Sequence, residues 1–165
     1  MASNGGTGLV VNLRIDGVRQ TLAAFALLPR QASDELRSAS LRIAQVLAGR
    51  VQTAAVAEGG QAAALARTVK ARRDRVPSVE AGGTTRIGRH RTPAFRLLFG
   101  SEFGMDRRSG WYAGSRYRTS TGRQYGRHLG QGSYWFFSTV EYDESRIDRE
   151  WNDAANEIIR RFTDG

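Results

Sequence analysis

One long periodic segment, residues 33–58, constrains the fold more than any other feature of the sequence. Its apolar positions recur three, four or seven residues apart on one helical face: Leu36, Ile43, Leu47, Val51 and Ala54. Alanines flank this narrow stripe, so the segment predicts a helix that packs closely against a sheet or a second helix. We expect Ser33 to cap its N-terminus and Gly59-Gly60 to end it.

A second amphipathic helix is predicted near the C-terminal end of the sequence. Its apolar residues follow one another at intervals of three or four: Ile147, Trp151, Ala154 or Ala155, Ile158 and Phe162. An acidic pair, Asp143-Glu144, lies at its expected start and a basic pair, Arg160-Arg161, at its end, as the helix dipole favours. The two helices and a nearby aromatic run supply the expected core: Leu36, Ile43, Leu47, Val51, Trp135, Phe137, Ile147, Trp151, Ile158 and Phe162.

Short strands complete the predicted body. Alternating apolar residues predict a strand over residues 11–15, and a short helix follows from Val18 to about Leu28. Residues 68–81 predict a β-hairpin, and Pro77 places its second strand at a sheet edge because proline lacks the N–H that the ladder needs. The aromatic run Tyr-Trp-Phe-Phe at 134–137 predicts another strand.

The pattern is lost between residues 84 and 132, where glycine, arginine and aromatic residues intermix. Only residues 94–99 are continuously apolar, as in a buried strand or a helical turn. We therefore expect one α+β domain over residues 9–165, after a flexible N-terminus at 1–8. It combines a small β-sheet, a long central helix and a C-terminal amphipathic helix with a long irregular loop insertion at about 84–132.

Positive charge is concentrated in the middle of the chain. Residues 67–127 hold 15 basic side chains against four acids, or +11, and the remaining residues bring the total to +9. Arginine interleaved with tyrosine and tryptophan suits contact with phosphate and bases, and it is also typical of protein–protein interfaces. Because no nucleic-acid reading motif accompanies it, we favour docking to a protein partner and keep direct nucleic-acid contact as the alternative.

Motifs for catalysis are absent from the sequence. It has no cysteine, no phosphate-binding Gly-x-x-x-x-Gly-Lys motif, no His-Glu-x-x-His and no Gly-x-Ser-x-Gly. His90 and His128 stand among arginines and glycines, and a metal-dependent nuclease acting through Glu102 and Asp106 is disfavoured by the surrounding positive charge. We expect neither an enzyme nor a cofactor or metal site. No apolar run reaches the roughly 18 residues of a membrane span, so no membrane partner is expected.

Two short elements carry a resemblance to a known family. Residues 97–104, Leu-Leu-Phe-Gly-Ser-Glu-Phe-Gly, are followed after an insert by residues 133–141, Ser-Tyr-Trp-Phe-Phe-Ser-Thr-Val-Glu, and then by the terminal helix. With the long upstream helix, this order resembles the tail-component family of long-tailed bacteriophages, the neck, tail-completion and tail-terminator proteins of the head–tail junction. The sequence has Ser101 where threonine is commoner, Ser138 where proline is usual, and a longer insert at 105–130.

The resemblance implies a structural virion protein that joins the connector to the tail tube around the DNA channel. It implies a homo-oligomeric ring, commonly of six copies, with connector or stopper proteins on the head side, the tail-tube protein on the tail side and DNA passing through the lumen. Such a ring is assembled in the bacterial host cytoplasm and belongs to the virion. With 24 arginines and only Lys70 as lysine, the chain looks like a member from a phage of a GC-rich actinobacterial host. The alternative is a basic nucleic-acid-binding protein that contacts DNA through the Arg-rich loop.

The candidate interface residues lie in the first family element and in the insert. They are Phe99, Gly100, Ser101, Glu102, Phe103, Arg107, Arg108, Trp111, Tyr112, Arg116, Tyr117, Arg118, Arg123, Tyr125 and Arg127. We expect Gly100 to adopt a positive φ where a strand leaves the sheet, and Ser101 to bond the turn. Glu102, one of the few acids in the basic segment, is expected to pair with an arginine of the same chain or of a neighbouring subunit.

Overall fold

The computed structural model describes residues 8–12, 15–103 and 134–164. Residues 1–7 of the N-terminus that was expected to be flexible (1–8), and the insert at 105–130, lie outside them. In chain order the described elements are β1 (Gly8–Asn12), α1 (Val18–Ala26), α2 (Arg30–Glu58), α3 (Gly60–Ala66), β2 (Lys70–Arg72), β3 (Ser78–Gly82), β4 (Arg86–Ile87), β5 (Thr92–Pro93), α4 (Ala94–Phe103) and α5 (Phe137–Thr163). The predicted α+β class is confirmed, with the long central helix and the C-terminal helix both present.

Helices α2 and α5 pack against each other in antiparallel orientation and form the centre of the molecule. Arg50 lies beside Asp143 and Glu35 lies beside Arg161, so the start of one helix faces the end of the other. Eight of the ten expected core residues are buried: Leu36, Ile43, Leu47, Val51, Trp135, Ile147, Trp151 and Ile158. Phe137 and Phe162 pack against this core while partly exposed.

Helix α2 begins four residues earlier than a cap at Ser33 would place it. Pro29 occupies the N-cap position with φ −55° and ψ 152°, and the helix runs on from Arg30, so Ser33 lies inside it. Proline needs no N–H partner at a helix start, which makes Pro29 a natural boundary. Gly59 ends the helix with φ 79°, as predicted, and α3 follows it directly.

The three-stranded sheet has the order β1-β3-β2, with both pairs antiparallel. The hairpin of β2 and β3 is confirmed, but the edge position expected from Pro77 is wrong, because β3 lies between the other two strands. Pro77 precedes Ser78, the first paired residue, so its missing N–H falls outside the ladder. Strand β1 spans Gly8–Asn12 rather than residues 11–15, so Gly8 belongs to the sheet.

Order continues well into the region expected to be an irregular loop. Strands β4 and β5 form a second, two-stranded antiparallel sheet, and α4 follows without a break. Ile87, Ala94 and Leu98 from this unit are buried in the main core. Over residues 84–103, the irregular pattern of the sequence therefore reflects short elements in rapid succession, which are too short for a periodic pattern to be visible.

The aromatic run at 134–137 is not the strand that was predicted. Tyr134 has a positive φ of 46°, which breaks the extended conformation, and the chain turns directly into α5. Trp135 and Phe136, adjacent in sequence, are both buried in the core. Because α5 begins at Phe137, Asp143 stands in its interior and not at its start.

Candidate functional site

The described residues on either side of the segment 104–133 meet at one point on the body. The backbone N–H of Tyr134 donates to the carbonyl oxygen of Glu102 at 3.0 Å, which brings residues 102 and 134 into direct contact. Residues 104–133, called the insert from here on, therefore connect the end of α4 to the start of α5. We call this junction, formed by residues 101–102 and 134–137, the base of the insert.

The Glu102 side chain holds the returning chain. Its Oε2 accepts a hydrogen bond from the N–H of Phe136 at 2.9 Å, and its Oε1 accepts one from the N–H of Phe137 at 2.8 Å. These N–H groups lie at the start of α5, where a helix has no internal acceptors for them. A side chain from one helix thus caps another helix that begins 35 residues later.

Ser101 makes the second connection at the base. The indole N–H of Trp135 donates to Ser101 Oγ at 3.3 Å, and the Ser101 hydroxyl donates to the carbonyl of Leu98 at 2.8 Å. Ser138 lies in the first turn of α5, and its N–H donates to the carbonyl of Tyr134 at 3.0 Å. A proline at this position could not donate this bond.

Glu102 is 2% exposed, which makes its charge expensive to bury. Burial raises the pKa of its carboxyl above the ordinary value, the bonds from Phe137 and Phe136 oppose that rise, and the nearby charge of Glu58 adds to it. The N-terminal end of the α5 dipole also favours a carboxylate here. Within the described residues, backbone N–H groups take the place of the arginine partner that we expected.

The candidate interface residues divide into two groups. Gly100, Ser101 and Glu102 are buried within α4, and the positive φ and strand exit expected at Gly100 are wrong because the residue is helical. Phe99 and Phe103 belong to the same helix. The others lie outside the described residues: Arg107, Arg108, Trp111, Tyr112, Arg116, Tyr117, Arg118, Arg123, Tyr125 and Arg127.

Two polar contacts in the body were not foreseen from the sequence. Asp143 is 2% exposed and binds Arg50 at 2.5 Å, with Arg146 at 3.4 Å. Ser40, fully buried in α2, receives a hydrogen bond from the Trp151 indole at 3.0 Å. In a sequence, a serine or aspartate within an amphipathic helix indicates the solvent-exposed face. Ser40 and Asp143 are buried instead, because Trp151 and Arg50, which are distant in sequence, contact them.

A groove of about 400 Å³ lies between the first half of α2 and the end of α5. Three of its charged lining residues bind one another or a neighbouring side chain: Glu35 binds Arg161 at 2.8 Å, and Asp34 binds Arg37 at 2.9 Å. The Glu35–Arg161 pair joins α2 to α5, and the Asp34–Arg37 pair lies within the first turns of α2. The groove is accordingly part of the helix-packing interface.

The histidines and acids considered for metal binding are not assembled into a site in the described part of the chain. His90 is exposed on the turn between β4 and β5, and His128 lies outside the described residues. Among residues 8–12, 15–103 and 134–164, no group of three metal-ligating side chains comes together. No helix in these ranges is both long and apolar enough to span a bilayer.

Comparison with family models, curated proteins and solved structures returned no match for the chain.

Proposed function

We propose that the protein is a structural ring component of the head-to-tail junction of a long-tailed bacteriophage. In this proposal the α+β body forms the wall of the ring, and the insert docks onto a neighbouring copy or onto the connector and tail-tube proteins. The likeness of residues 97–104 and 133–141 to the phage tail-component family supports this assignment.

The observation that carries the proposal is the closed base of the insert. Because Glu102 and Tyr134 are in contact, the body's chain path is complete without residues 104–133. Those residues include six arginines, one acid and four aromatic side chains, a composition enriched at protein interfaces. A rigid body that presents a long basic and aromatic segment from one point suits assembly with adjacent subunits.

The central experiment compares the full chain with a closure variant in which residues 104–133 are replaced by a short Gly-Ser linker. Light scattering and negative-stain imaging measure assembly, and thermal melting monitors the body. We expect the full chain to form rings, alone or with connector and tail-tube proteins, and the closure variant to remain a folded monomer. A full chain that stays monomeric with those partners would refute the proposal, as would a closure variant that still assembles.

A matched variant separates the chemistry of the insert from its length. Replacing Trp111, Tyr112, Tyr117 and Tyr125 by serine keeps the number of residues and all arginines. If aromatic contacts hold the ring together, this variant also remains monomeric at an unchanged melting temperature. Assembly that persists without the aromatics would assign the contact to the arginines instead.

The alternative function is DNA binding through the insert, and the alternation of its arginines with aromatics favours it. It predicts that the full chain binds free DNA as a monomer with steep salt dependence, and that the closure variant loses this binding. Mass and DNA affinity, measured on the same two proteins, therefore distinguish ring assembly from a monomeric DNA-binding role.

A further inference from the structure

The turn between β4 and β5, residues 88–91, is a second basic element that is separate from the insert. The structure describes all of its residues. From residue 81 to residue 101 the chain contains no acid. The exposed side chains on and beside this hairpin are hydrogen-bond donors: Thr84, Thr85, Arg86, Arg89, His90 and Arg91. The nearest acids in sequence are engaged elsewhere, Glu80 with Arg72 at 3.9 Å and Glu102 with the start of α5.

The hairpin is held in one conformation by several bonds. The Arg91 N–H donates to the carbonyl of Gly88 at 3.1 Å, and the Arg86 guanidinium donates to the carbonyl of Arg91 at 3.0 Å. The Arg67 guanidinium braces the strand from outside by donating to the carbonyl of Arg86 at 2.9 Å. Ile87, 3% exposed, anchors the strand to the core. The side chains of Arg67 and Arg86 thus stabilise the hairpin.

The side chains of the arginines at the tip, in contrast, make no such structural bond within the described residues. Arg89 and Arg91 are exposed, and within the described residues neither forms an ion pair. Six other arginines of the body do bind carboxylates: Arg37, Arg50, Arg72, Arg73, Arg146 and Arg161. Arg91 moreover has a φ of 49°, a conformation that glycine or asparagine adopts at lower cost. Residues kept in a strained backbone conformation cluster at functional sites.

We propose that the tip of the β4–β5 hairpin, residues 89–91, binds the phosphate backbone of DNA without reading its sequence. Guanidinium groups pair with phosphate in a forked geometry, and threonine hydroxyls and an imidazole N–H supply further donors of the kind found at such contacts. Protein–protein interfaces are commonly centred on aromatic or other large anchor side chains that are buried by the partner. The turn itself, residues 88–91, carries no apolar side chain, and Ile87 at the end of β4 is buried, so a polyanion fits the tip better.

This inference rests on the proposed function for its setting, because a ring around the DNA channel brings phosphate close to its subunits. It names a contact that the insert does not provide. Its test, however, uses the chain of 165 residues in solution and does not require assembly. The two proposals can therefore fail separately.

The test is a titration of a labelled DNA duplex by fluorescence anisotropy over a series of salt concentrations. The variant R89Q/R91Q removes both tip charges, and R19Q/R149Q removes two exposed arginines from α1 and α5 as a matched control. We expect the tip variant to lose about tenfold in affinity and to lower the salt slope by about 2, since each phosphate contact contributes about 0.9. The control should keep the wild-type slope, and two duplexes of different sequence should bind alike.

Three results would overturn the proposal. One is that the full chain fails to bind DNA at low salt, and another is that the tip variant and the control lose equally little affinity. The third is that a polyglutamate peptide binds as tightly as DNA and is lost equally in the tip variant, which would make the tip a docking point for acidic proteins. Melting temperatures measured alongside check that each variant is folded, and light scattering on the same samples reports assembly independently.

Discussion

The indole N–H of Trp151 donates to the backbone carbonyl of Arg75 at 2.8 Å, tying α5 to the turn between β2 and β3. The hydroxyl of Ser40 on α2 donates to the same carbonyl at 2.8 Å. One carbonyl oxygen thus joins the two long helices to the sheet. Trp151 and Ser40 are both fully buried, so these bonds are shielded from water.

Trp151→Ala should lower the free energy of unfolding by about 3–5 kcal/mol, as large-to-small changes in a core do. Trp151→Phe keeps most of the packing and removes the donor, so it should cost about 1–2 kcal/mol. Urea denaturation followed by circular dichroism measures both. An alanine variant as stable as the wild type would mean that α5 does not pack through this residue.

Asp143→Asn should destabilise the protein because it removes the carboxylate that receives Arg50 and Arg146. Arg50 is 48% exposed at its side chain and can return to water, so we expect a loss of about 1–3 kcal/mol. The double variant D143N/R50Q should lose less than the sum of the two single variants, as residues in contact do. Strict additivity in denaturation experiments would show that the pair is not coupled.

Glu102 should make stability depend on pH in the direction opposite to an ordinary paired carboxylate. Its pKa is raised in the folded state by burial, so the folded state binds the proton more tightly than the unfolded state. Stability contributed at this site is therefore complete below the unfolded-state pKa and falls as the pH rises through the folded-state value.

Denaturation at a series of pH values, on the wild type and on Glu102→Gln, tests this sign. The wild type should gain stability relative to the variant as the pH is lowered through that window. The matched Glu58→Gln variant removes a charge that raises the Glu102 pKa, so it should keep the effect but weaken it. A pH-independent difference between wild type and Glu102→Gln would contradict the raised pKa.

Gly82 and Gly83 offer a matched pair for testing the junction between β3 and α4. Both have positive φ, 94° and 77°, but a Cβ on Gly82 would lie 3.3 Å from the Cα of Phe95, whereas one on Gly83 meets nothing within 4 Å. Gly83→Ala should cost about 1–2 kcal/mol for the backbone conformation alone. Gly82→Ala should cost measurably more in thermal or chemical unfolding, and equal losses would show that the close approach is relaxed.

The two long helices could be predicted from the sequence because apolar residues recur at helical spacing over many consecutive residues. Leu36 and Ile147 fall on stripes that only a helix can bury on one side. The edge position predicted from Pro77 was wrong because the effect of a proline depends on whether it lies within the hydrogen-bonded ladder or one residue before it. A sequence does not specify that register without the partner strand.

The base of the insert could not be predicted, because its decisive bonds join residues about 34 positions apart. An apolar run such as Trp135-Phe136 fits a strand and a helix start equally well by local pattern. The helix start is favoured because the Glu102 carboxylate, which belongs to α4, accepts hydrogen bonds from the N–H groups of Phe136 and Phe137. The sequence did single out Glu102 as unusual in its basic surroundings, but its role is to begin α5 and not to bind an arginine within the described residues.

The contact between Glu102 and Tyr134 makes this point of the chain a natural exchange point for foreign sequence. Since the entropy of closing a loop grows only by about 0.6 kcal/mol for each doubling of its length, segments of very different sizes can be carried there at similar stability. Lineages that need different neighbours could therefore replace the segment wholesale while the helices and the sheet stay the same. For the engineer, the same joint is the place to graft a fluorescent or affinity tag.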